Sequence, residues 1–373
     1  MFLDYALPFL FIFTILVFVH ELGHYWVAKR FGVQIETFSI GFGPELFGWT
    51  DKSKTRWKIS VIPFGGYVKY LGDLDASSRP NNDALNDLSA DQKSKTLHGK
   101  SVSERILIAF AGPLANYLMA MVVFFGLFMT VGQRYVPAEV SGFAEVSAAK
   151  EAGLKEKDLI KSINGEHIQS FSDLERFVKS NAGVPLNMII ERNKEEMSVT
   201  VTPKETEVTT NGEVKKIGQL GIIKSMEGKY IQHNFITALY HSVTEPFVFS
   251  WNLMQTLGQM VVGKRSSDEL GGIIQIAYMS GQAAQMGIST LLWFMAILSV
   301  NLGFFNLLPI PMLDGGHILF YAIEGIRKKP ISEKIQERAF MVGLSVVLAL
   351  MVYTNGNDLV KFKVFSWIKN LFS

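Results

Sequence analysis

Residues 6–28 read ALPFLFIFTILVFVHELGHYWVA, a stretch that is apolar enough to cross a membrane yet contains two histidines and a glutamate. A spanning helix needs about 20 mostly apolar residues, and ionisable groups within one are costly enough to mark a functional site. His20 and His24 lie on one helical face, where they can share a zinc ion, and Glu21 between them is placed as a general base. The stretch therefore predicts metal-dependent hydrolysis at or inside a bilayer.

The alternative is a chance match, because HExxH motifs also occur in proteins that bind no metal. On the surface of a soluble helix these three side chains would simply be solvated. Within an apolar helix that solvation is absent, so a chance match would leave an unexplained polar cluster in the membrane. We therefore favour zinc.

The composition indicates the class of protein. The chain has 373 residues, 28 of them Phe, and a mean hydropathy of +0.21, which together indicate a membrane helix bundle with one separate domain. The net charge of +2 gives no indication of a nucleic-acid partner. The absence of Cys excludes disulfides and thiol catalysis, and it restricts any metal site to His and carboxylate ligands.

Three further uncharged stretches predict membrane spans. Basic residues cluster after the first span and between the third and fourth spans, so both loops are expected to be cytoplasmic and both termini outside. The predicted fold is therefore a polytopic α-helical membrane protein with four spans. The further stretches are Ile106 to Val131, Met286 to Leu308, and Ala339 to Tyr353 with uncharged flanks up to Asn357.

The segments outside the spans differ in pattern. Strand-like runs with Gly over residues 34–71 predict β-hairpins that dip into the membrane face, where such backbone survives only beside protein or a water-filled cavity. Residues 73–100 are polar and predict a cytoplasmic loop. Residues 138–224 predict one exported α+β domain with a helix at 171–180, and residues 235–263 predict an amphipathic helix at the outer interface.

These patterns divide the chain into seven predicted segments. The first span lacks a basic n-region and contains the chemistry, so it is expected to be retained rather than removed as a signal peptide. The segments are the first transmembrane helix with HExxH (1–33), the re-entrant β region and cytoplasmic loop (34–102), the second transmembrane helix (103–133), the exported domain (138–224), the amphipathic interfacial helix (230–263), the third transmembrane helix with the Leu-Asp-Gly motif (286–326) and the fourth transmembrane helix (335–357).

A single zinc ion needs a third protein ligand, and the sequence offers Asp314 within NLLPIPMLDGGH (306–317). This residue follows the third predicted span at its cytoplasmic end, the depth at which HELGH ends the first span. The two prolines break the helix, and Gly315 and Gly316 allow a close backbone approach. The alternative is a Pro-Gly turn with Asp as a helix N-cap, but the matching topology favours a metal ligand.

Three other polar residues are candidates near this site. Asn306 can bond the substrate backbone or an oxyanion, or it can join helices as Asn usually does in membranes. For Asn116 we expect the interhelical contact. His317 is a candidate for supporting a ligand rather than for binding metal itself.

Five motifs follow one another along the chain: HELGH (20–24), FSIGFG (38–43), IPFGGYVK (62–69), AGPLAN (111–116) and NLLPIPMLDGGH (306–317). In order and spacing they resemble the bacterial site-2 protease family, in particular its RseP-type inner-membrane zinc metalloproteases. The resemblance covers nearly the whole chain. It implies that His20, His24 and Asp314 bind Zn²⁺ and that Glu21 activates water. It also implies that Asn306 holds the substrate strand, while a re-entrant sheet pairs with an unwound substrate.

The exported segment resembles a PDZ domain. AGLKEKDLIKSINGE (152–166) looks like the core of the bacterial form, IGQLGI (217–222) looks like its closing segment, and the chain has room for one such domain. A PDZ-like domain implies that peptide tails bind there or that bulky ectodomains are rejected. The implied partners are the lipid bilayer and single-span membrane proteins, such as anti-sigma factors or signal-peptide remnants, cleaved after a first external cut.

The resemblance also implies a location in the bacterial inner membrane. The zinc site would lie near the cytoplasmic face, with the PDZ-like domain and both termini periplasmic. Two other classes of function stay open, a catalytically silent membrane PDZ scaffold and a metal transporter. An intact ligand set argues against the first, and the lack of an acidic or His relay across the bilayer argues against the second.

Overall fold

The computed structural model describes residues 3–74, 87–210, 213–225, 228–267 and 270–362. The chain divides into two compact units. Unit 1 comprises Met1–Leu127, Ala238–Met260 and Arg265–Ser373, and unit 2 comprises Phe128–Thr237 and Val261–Lys264. The residues predicted to bind metal all belong to unit 1.

Four of the described helices are long and apolar enough to cross a membrane, which confirms the predicted number of spans. They are the first, third, eighth and tenth of the described helices. In chain order the helices are α1 (Leu3–Arg30), α2 (Ala90–Ser94), α3 (Val102–Thr130), α4 (Ala148–Glu151), α5 (Phe171–Lys179), α6 (Phe235–Val261), α7 (Ile273–Gln285), α8 (Ile288–Asn306), α9 (Asp314–Arg327) and α10 (Glu333–Lys361).

Small residues let the spanning helices of unit 1 approach closely. At Gly23 of α1, an added Cβ would lie 2.3 Å from the carbonyl oxygen of Ala111 and 2.8 Å from the Cβ of Ala115, both on α3. At Gly303 of α8, an added Cβ would lie 3.0 Å from the carbonyl oxygen of Pro113 on α3. Helices in membranes commonly pack through such small residues. The second span therefore contacts both the first and the third.

The predicted strand-like runs form one long antiparallel hairpin in unit 1, with β1 at Ile35–Thr50 and β2 at Arg56–Tyr70. Phe38 docks the hairpin onto α1. It is 1% exposed, stacks on Trp57 with ring centroids 4.3 Å apart, and meets the ring of Tyr25 edge-on at 5.8 Å. Such aromatic contacts stabilise a pair beyond the area they bury. The end of the hairpin nearest residue 35 is thus fixed to the first span.

Asp51 anchors the turn between the two strands. It accepts hydrogen bonds from the Tyr25 hydroxyl, the Trp57 indole and the backbone amides of Ser53 and Thr55. Burial alone would raise the pKa of Asp51, but these four donors hold it below its usual range. The hairpin also has large exposed apolar side chains, which are Phe42, Leu46, Phe47, Trp49, Ile59, Val61 and Ile62. They are compatible with a lipid contact, but the re-entrant placement stays a prediction.

Two segments differ in detail from the sequence interpretation, and a third agrees with it. Residues 73–100 were expected to form a loop, but their described part contains α2, and Asp73 and Leu97 are buried; residues 75–86 lie outside the described ranges. The short helix α7 was not predicted, because 13 residues with several polar side chains match no span pattern. The helix α6 is present, and its interfacial placement stays a prediction.

Unit 2 contains an antiparallel sheet with strand order β6-β5-β7-β8 and a core that includes Ile160, Met188 and Ile190. The helix expected at 171–180 is α5, which begins with a capping box made by Ser170 and Asp173. The further strands in chain order are β3 (Gln133–Tyr135), β4 (Val140–Phe143), β5 (Leu159–Ile163), β6 (Glu166–His167), β7 (Leu186–Arg192), β8 (Glu195–Val201), β9 (Lys204–Thr210), β10 (Glu213–Gln219), β11 (Ile222–Lys224) and β12 (Lys229–Ile231).

Candidate metal centre

The side chains of His20, His24 and Asp314 meet in unit 1, with one ligand atom of each within 4.8 Å of the others. Nε2 of His20 lies 3.1 Å from Oδ2 of Asp314, and Nε2 of His24 lies 3.4 Å from Oδ1. The two Nε2 atoms are 3.3 Å apart. Each histidine is 8% exposed. The fold thus brings together the three residues that the sequence analysis selected, although 290 residues separate His24 from Asp314.

This donor set fits a zinc ion. Two imidazole nitrogens and one carboxylate oxygen form a common ligand set of catalytic zinc, with a fourth position left for water or substrate. Oδ2 of Asp314 is buried, and within the described part of the chain its contact with Nε2 of His20 at 3.1 Å lacks the geometry of a hydrogen bond. A buried carboxylate oxygen normally has a partner, and a cation bound between the three side chains would supply one.

A tight loop between α8 and α9 positions Asp314. The predicted helix break is confirmed, because α8 ends before the two prolines and α9 begins at Asp314 itself. The N-cap is Leu313, so the alternative of an N-capping Asp is wrong. Added Cβ atoms at Gly315 and Gly316 would lie 2.3 and 2.4 Å from carbonyl oxygens of this loop. Met312 adopts a φ of 91°, a left-handed conformation that is costly for a bulky residue and is held here two residues before Asp314.

Glu21 lies beside the three ligands and lines the same cavity. The backbone of Val68 in β2 lies close to its carboxylate. An added Cβ at Gly66 would lie 3.1 Å from Cγ of Glu21 and 2.8 Å from a methyl group of Val17. The missing side chain at Gly66 therefore lets the hairpin pack against α1 next to the predicted general base.

One face of α3 supports both histidines through residues spaced four apart. The carbonyl oxygen of Ile108 accepts a hydrogen bond from Nδ1 of His24 at 2.8 Å, and the side-chain amide of Asn116 lies 3.1 Å from Nδ1 of His20. Between them, an added Cβ at Gly112 would lie only 2.3 Å from Nε2 of His24. Sequence analysis expected an interhelical contact for Asn116, and its contact with His20 on α1 confirms that expectation. It did not predict that the partner would be a candidate ligand. The only signal was the AGPLAN motif, whose partner is 96 residues away.

The metal centre opens into a cavity of about 410 Å³ that is lined by both candidate substrate-binding and supporting residues. Asn306 lines this cavity, as does Tyr70 of the hairpin. His317 lines it too, and its ring packs against Phe340 with centroids 5.3 Å apart. The structure therefore places Asn306 and His317 near the predicted ligands, and their roles stay predictions.

A second buried pair lies at the end of the hairpin. The side chain of Asp73 has no exposed surface, and its Oδ1 lies 3.4 Å from Nε2 of His98. Burial raises the pKa of Asp73, while His98 acts in the opposite direction. His98 belongs to the segment that was expected to be a polar loop, and its side chain is instead mostly buried beside Asp73.

Comparison with known proteins agrees with the geometry of this centre. Residues 8–350 match the profile described as Peptidase family M50. The chain belongs to this family. The match covers most of the chain, from the first span into the fourth, and it confirms the resemblance to the site-2 proteases. The chain is accordingly a peptidase of the M50 family.

Several relatives cover nearly the full length of the chain. The metalloprotease MmpA of Caulobacter vibrioides is 35% identical over 100% of this chain and 99% of the relative. The zinc metalloprotease RasP of Geobacillus kaustophilus is 30% identical over 96% of this chain and 99% of the relative. A protein of Agrobacterium fabrum is 40% identical over 95% of both chains.

Proposed function

We propose that this M50 peptidase is an intramembrane zinc endopeptidase in which His20, His24 and Asp314 bind the metal and Glu21 is the general base. The observation that carries the proposal is the meeting of the three ligand atoms within 4.8 Å, next to Glu21, on a helix apolar enough to span a membrane. Two relatives support the same activity, since MmpA is named a metalloprotease and RasP a zinc metalloprotease.

The reaction is peptide hydrolysis, in which the chain supplies the proton transfers. A zinc ion held at such a site polarises a carbonyl oxygen and lowers the pKa of water toward about 7. Glu21 takes a proton from the attacking water and delivers it to the leaving amine. The hairpin packs against Glu21 on one side, at Gly66 and Val68.

The hairpin is the element that we propose binds the substrate. A helical substrate hides its peptide bonds in internal hydrogen bonds, so it must unwind before it is cleaved. Strand addition to a hairpin edge replaces these hydrogen bonds, and β2 passes Glu21 at Gly66 and Val68. Asn306, which lines the same cavity, is proposed to hold the extended substrate strand.

The substrate class follows from the placement of this chemistry on a spanning helix. We assign single-span membrane proteins, cut inside the bilayer after an earlier cut has removed the ectodomain. Unit 2 is proposed to be the PDZ-like periplasmic domain that rejects bulky ectodomains or binds peptide tails, and its α+β composition supports this assignment. The proposed location is the inner membrane, with the metal centre near the cytoplasmic face, because the basic loops flank that side.

A single substitution tests the proposed chemistry. Glu21→Gln keeps the shape of the side chain but cannot accept the proton of water, so it should retain zinc and lose at least about 100-fold in cleavage rate. The measurement is cleavage of a purified single-span substrate without its ectodomain, together with the zinc content of wild type and variant. Residual cleavage within about tenfold of wild type would remove Glu21 from the base role.

The same experiment separates the other classes of function. A silent scaffold would bind substrate without cutting it in the wild-type protein. A transporter would carry zinc across vesicles without any change in the substrate. Zinc-dependent cleavage by wild type, abolished in Glu21→Gln, is the outcome that only the peptidase proposal expects.

A further inference from the structure

The amide of Asn116 has an unusual environment. Asn116 has no exposed surface, and its Nδ2 lies 3.1 Å from Nδ1 of His20. In the described part of the chain, its Oδ1 is buried without a hydrogen-bond partner. An acceptor is thus unsatisfied at the residue that touches the outer nitrogen of a predicted zinc ligand. Buried acceptors of this kind are rare enough to require an explanation.

The chemistry of a metal-bound imidazole supplies the explanation. Nε2 of His20 faces the shared centre, because it lies 3.1 Å from Asp314 and 3.3 Å from Nε2 of His24. A neutral imidazole that offers the lone pair of Nε2 to a metal carries its proton on Nδ1. Nδ1 is then a donor, and a donor cannot bond to the NH₂ group of an amide.

Half a turn of the Asn116 amide about its last bond removes this conflict. The oxygen and nitrogen of an amide are nearly the same size, and their assignment follows from the hydrogen bonds around them. After the turn, Oδ1 lies where it accepts the proton of Nδ1 of His20. In either orientation one of the two polar groups of the Asn116 amide has no partner. Before the turn the NH₂ group of Asn116 faces the N–H of His20 Nδ1, and after it the amide oxygen faces that N–H.

We propose that Asn116 is a positioning residue that accepts a hydrogen bond from Nδ1 of His20 through Oδ1 and so fixes the tautomer and ring orientation of that ligand. The proposal deepens the proposed function and rests on its zinc assignment. It gives the two histidines equivalent support, since Nδ1 of His24 donates to the carbonyl oxygen of Ile108, about two turns earlier on the same face of α3. Partners of this kind typically contribute 10- to 100-fold to metal affinity.

The competing explanation is that Asn116 only joins helices. The backbone carbonyl of Asn116 already does so, because it accepts a hydrogen bond from the hydroxyl of Ser299 on α8 at 2.8 Å. Ser299 is as deeply buried as Asn116. The chain therefore separates the two roles, with the backbone of residue 116 bonded to the third span and its side chain bonded to the ligand.

The test compares zinc affinity, measured by competition with a chromogenic chelator on the purified full chain, in four variants. Asn116→Leu removes the acceptor at similar size, and Asn116→Ser is a second, smaller variant whose hydroxyl is too short to reach Nδ1. Asn116→Asp keeps an acceptor, and Ser299→Ala removes only the helix contact. We expect Asn116→Leu and Asn116→Ser to bind zinc about 10- to 100-fold more weakly, with an altered visible spectrum of the cobalt-substituted protein, whereas Asn116→Asp and Ser299→Ala stay within about threefold of wild type.

Three other results for the variants would each contradict the proposal. Wild-type affinity in Asn116→Leu and Asn116→Ser would show that the amide does not hold the ligand. Equal loss in Ser299→Ala would show a structural role for the position, and equal loss in Asn116→Asp would show that an acceptor is not what His20 needs. A wild-type protein that binds no zinc would instead overturn the proposed function itself.

Discussion

At the scale of single residues, the side chains of the predicted ligands are held by contacts that restrict their rotation. Both histidines are nearly buried, and each has its outer nitrogen against α3 while its inner nitrogen faces Asp314. Asp314 in turn begins a helix whose next two residues are glycines packed against their own loop. A site held this way needs little reorganisation when a metal binds, which favours affinity and a fixed geometry.

Asp314→Asn should weaken zinc binding by more than the roughly 10- to 100-fold that loss of a supporting hydrogen bond costs, and should abolish cleavage. The reason is that a neutral amide is a poor zinc ligand. Zinc content and chelator competition on the purified variant measure the effect. The matched control is Glu337→Gln, an exposed acid on α10, which should retain zinc. Full zinc occupancy in Asp314→Asn would show that the third ligand lies elsewhere.

At this scale the sequence identified the three side chains that meet at the centre among the described residues, because the spacing within HELGH and LDGG indicates a metal site directly. It did not identify the supporting contacts of Ile108, Gly112 and Asn116. The contact of Ile108 uses a backbone carbonyl, which every residue has, so the sequence gives no sign of it. A glycine such as Gly112 is common in membrane helices and does not by itself indicate a contact with a ligand. These contacts depend on which faces of α1 and α3 meet, and that is decided by packing rather than by spacing.

At the scale of elements, the face of α3 that supports the histidines has no room for a side chain at Gly112. Gly112→Ala should therefore displace a ligand, because its Cβ would lie 2.3 Å from Nε2 of His24 and 2.9 Å from Cε1 of His20. We expect zinc binding and cleavage to be lost, although Ala favours a helix over Gly by about 1 kcal/mol. Zinc content and helix content by circular dichroism are the measurements.

Gly126→Ala is the matched control on the same helix, since an added Cβ there meets no atom within 4 Å. It should retain zinc and stabilise the helix slightly. If both variants kept zinc equally, the close packing of α3 against the histidines would not be required for zinc binding.

The elements themselves were predictable to different degrees. Uncharged runs located the four spans, because a bilayer requires an apolar side chain at nearly every position of a spanning helix. The prolines located the break before Asp314, because proline lacks the amide hydrogen that a helix needs at that position. The hairpin followed from alternating runs with Gly. The helix α7 and the buried contacts of Asp73 did not follow, because a short mixed segment takes its structure from its neighbours.

At the scale of the whole molecule, the division into two units separates the chemistry from the proposed selection of substrates. Deleting residues 138–224 should spare zinc binding and relax substrate choice, because no predicted ligand or base belongs to unit 2. The chain offers suitable ends for the deletion. β3 and β12 pair with each other, with Tyr135 opposite Lys229, so a short Gly-Ser linker can join residues 137 and 225.

The deleted enzyme should cut a substrate whose ectodomain is intact, which the full-length enzyme should refuse. Cleavage of intact and trimmed substrates by both proteins, with Glu21→Gln in the deleted background as the control, measures this. A deletion that folds and holds zinc yet cuts neither substrate would make unit 2 a required part of substrate docking.

Unit 2 should also respond to acid separately from the metal centre. Asp158 has no exposed side-chain surface and forms two hydrogen bonds with Arg192 at 2.6 and 2.7 Å. Burial alone would raise the pKa of Asp158, but Arg192 and the Lys155 amide hold it below its usual value of about 3.9. Its contribution to stability is therefore complete above that value and is lost as the pH falls through the lowered pKa.

Asp158→Asn should lower the free energy of unfolding of unit 2 by about 2 to 3 kcal/mol near neutral pH. This loss is smaller than that for breaking a fully buried ion pair, because the Arg192 side chain is 20% exposed. Hydrogen exchange of β5 and β7 in the full chain reports the loss, and zinc content should be unchanged. Lys161→Gln, which breaks the partly exposed pair with Glu191 between the same strands, is the control and should cost at most about 0.5 kcal/mol. Equal effects would contradict the buried pair as the main support.

The distance in sequence between HELGH and Asp314 has a consequence for biosynthesis. The ribosome makes His20, Glu21 and His24 first, and the third ligand follows 290 residues later. At about 5 to 20 residues per second, the nascent chain spends about 15 to 60 s with its first span complete and no Asp314 to close the centre. During that interval the growing polypeptide carries the proposed base but not the full set of proposed ligands, so by the proposed mechanism it cannot yet cleave the membrane proteins inserted beside it. The order of translation would thus delay the proposed activity until the last of the predicted ligands has been made, which is the effect that a pro-segment has in other proteases.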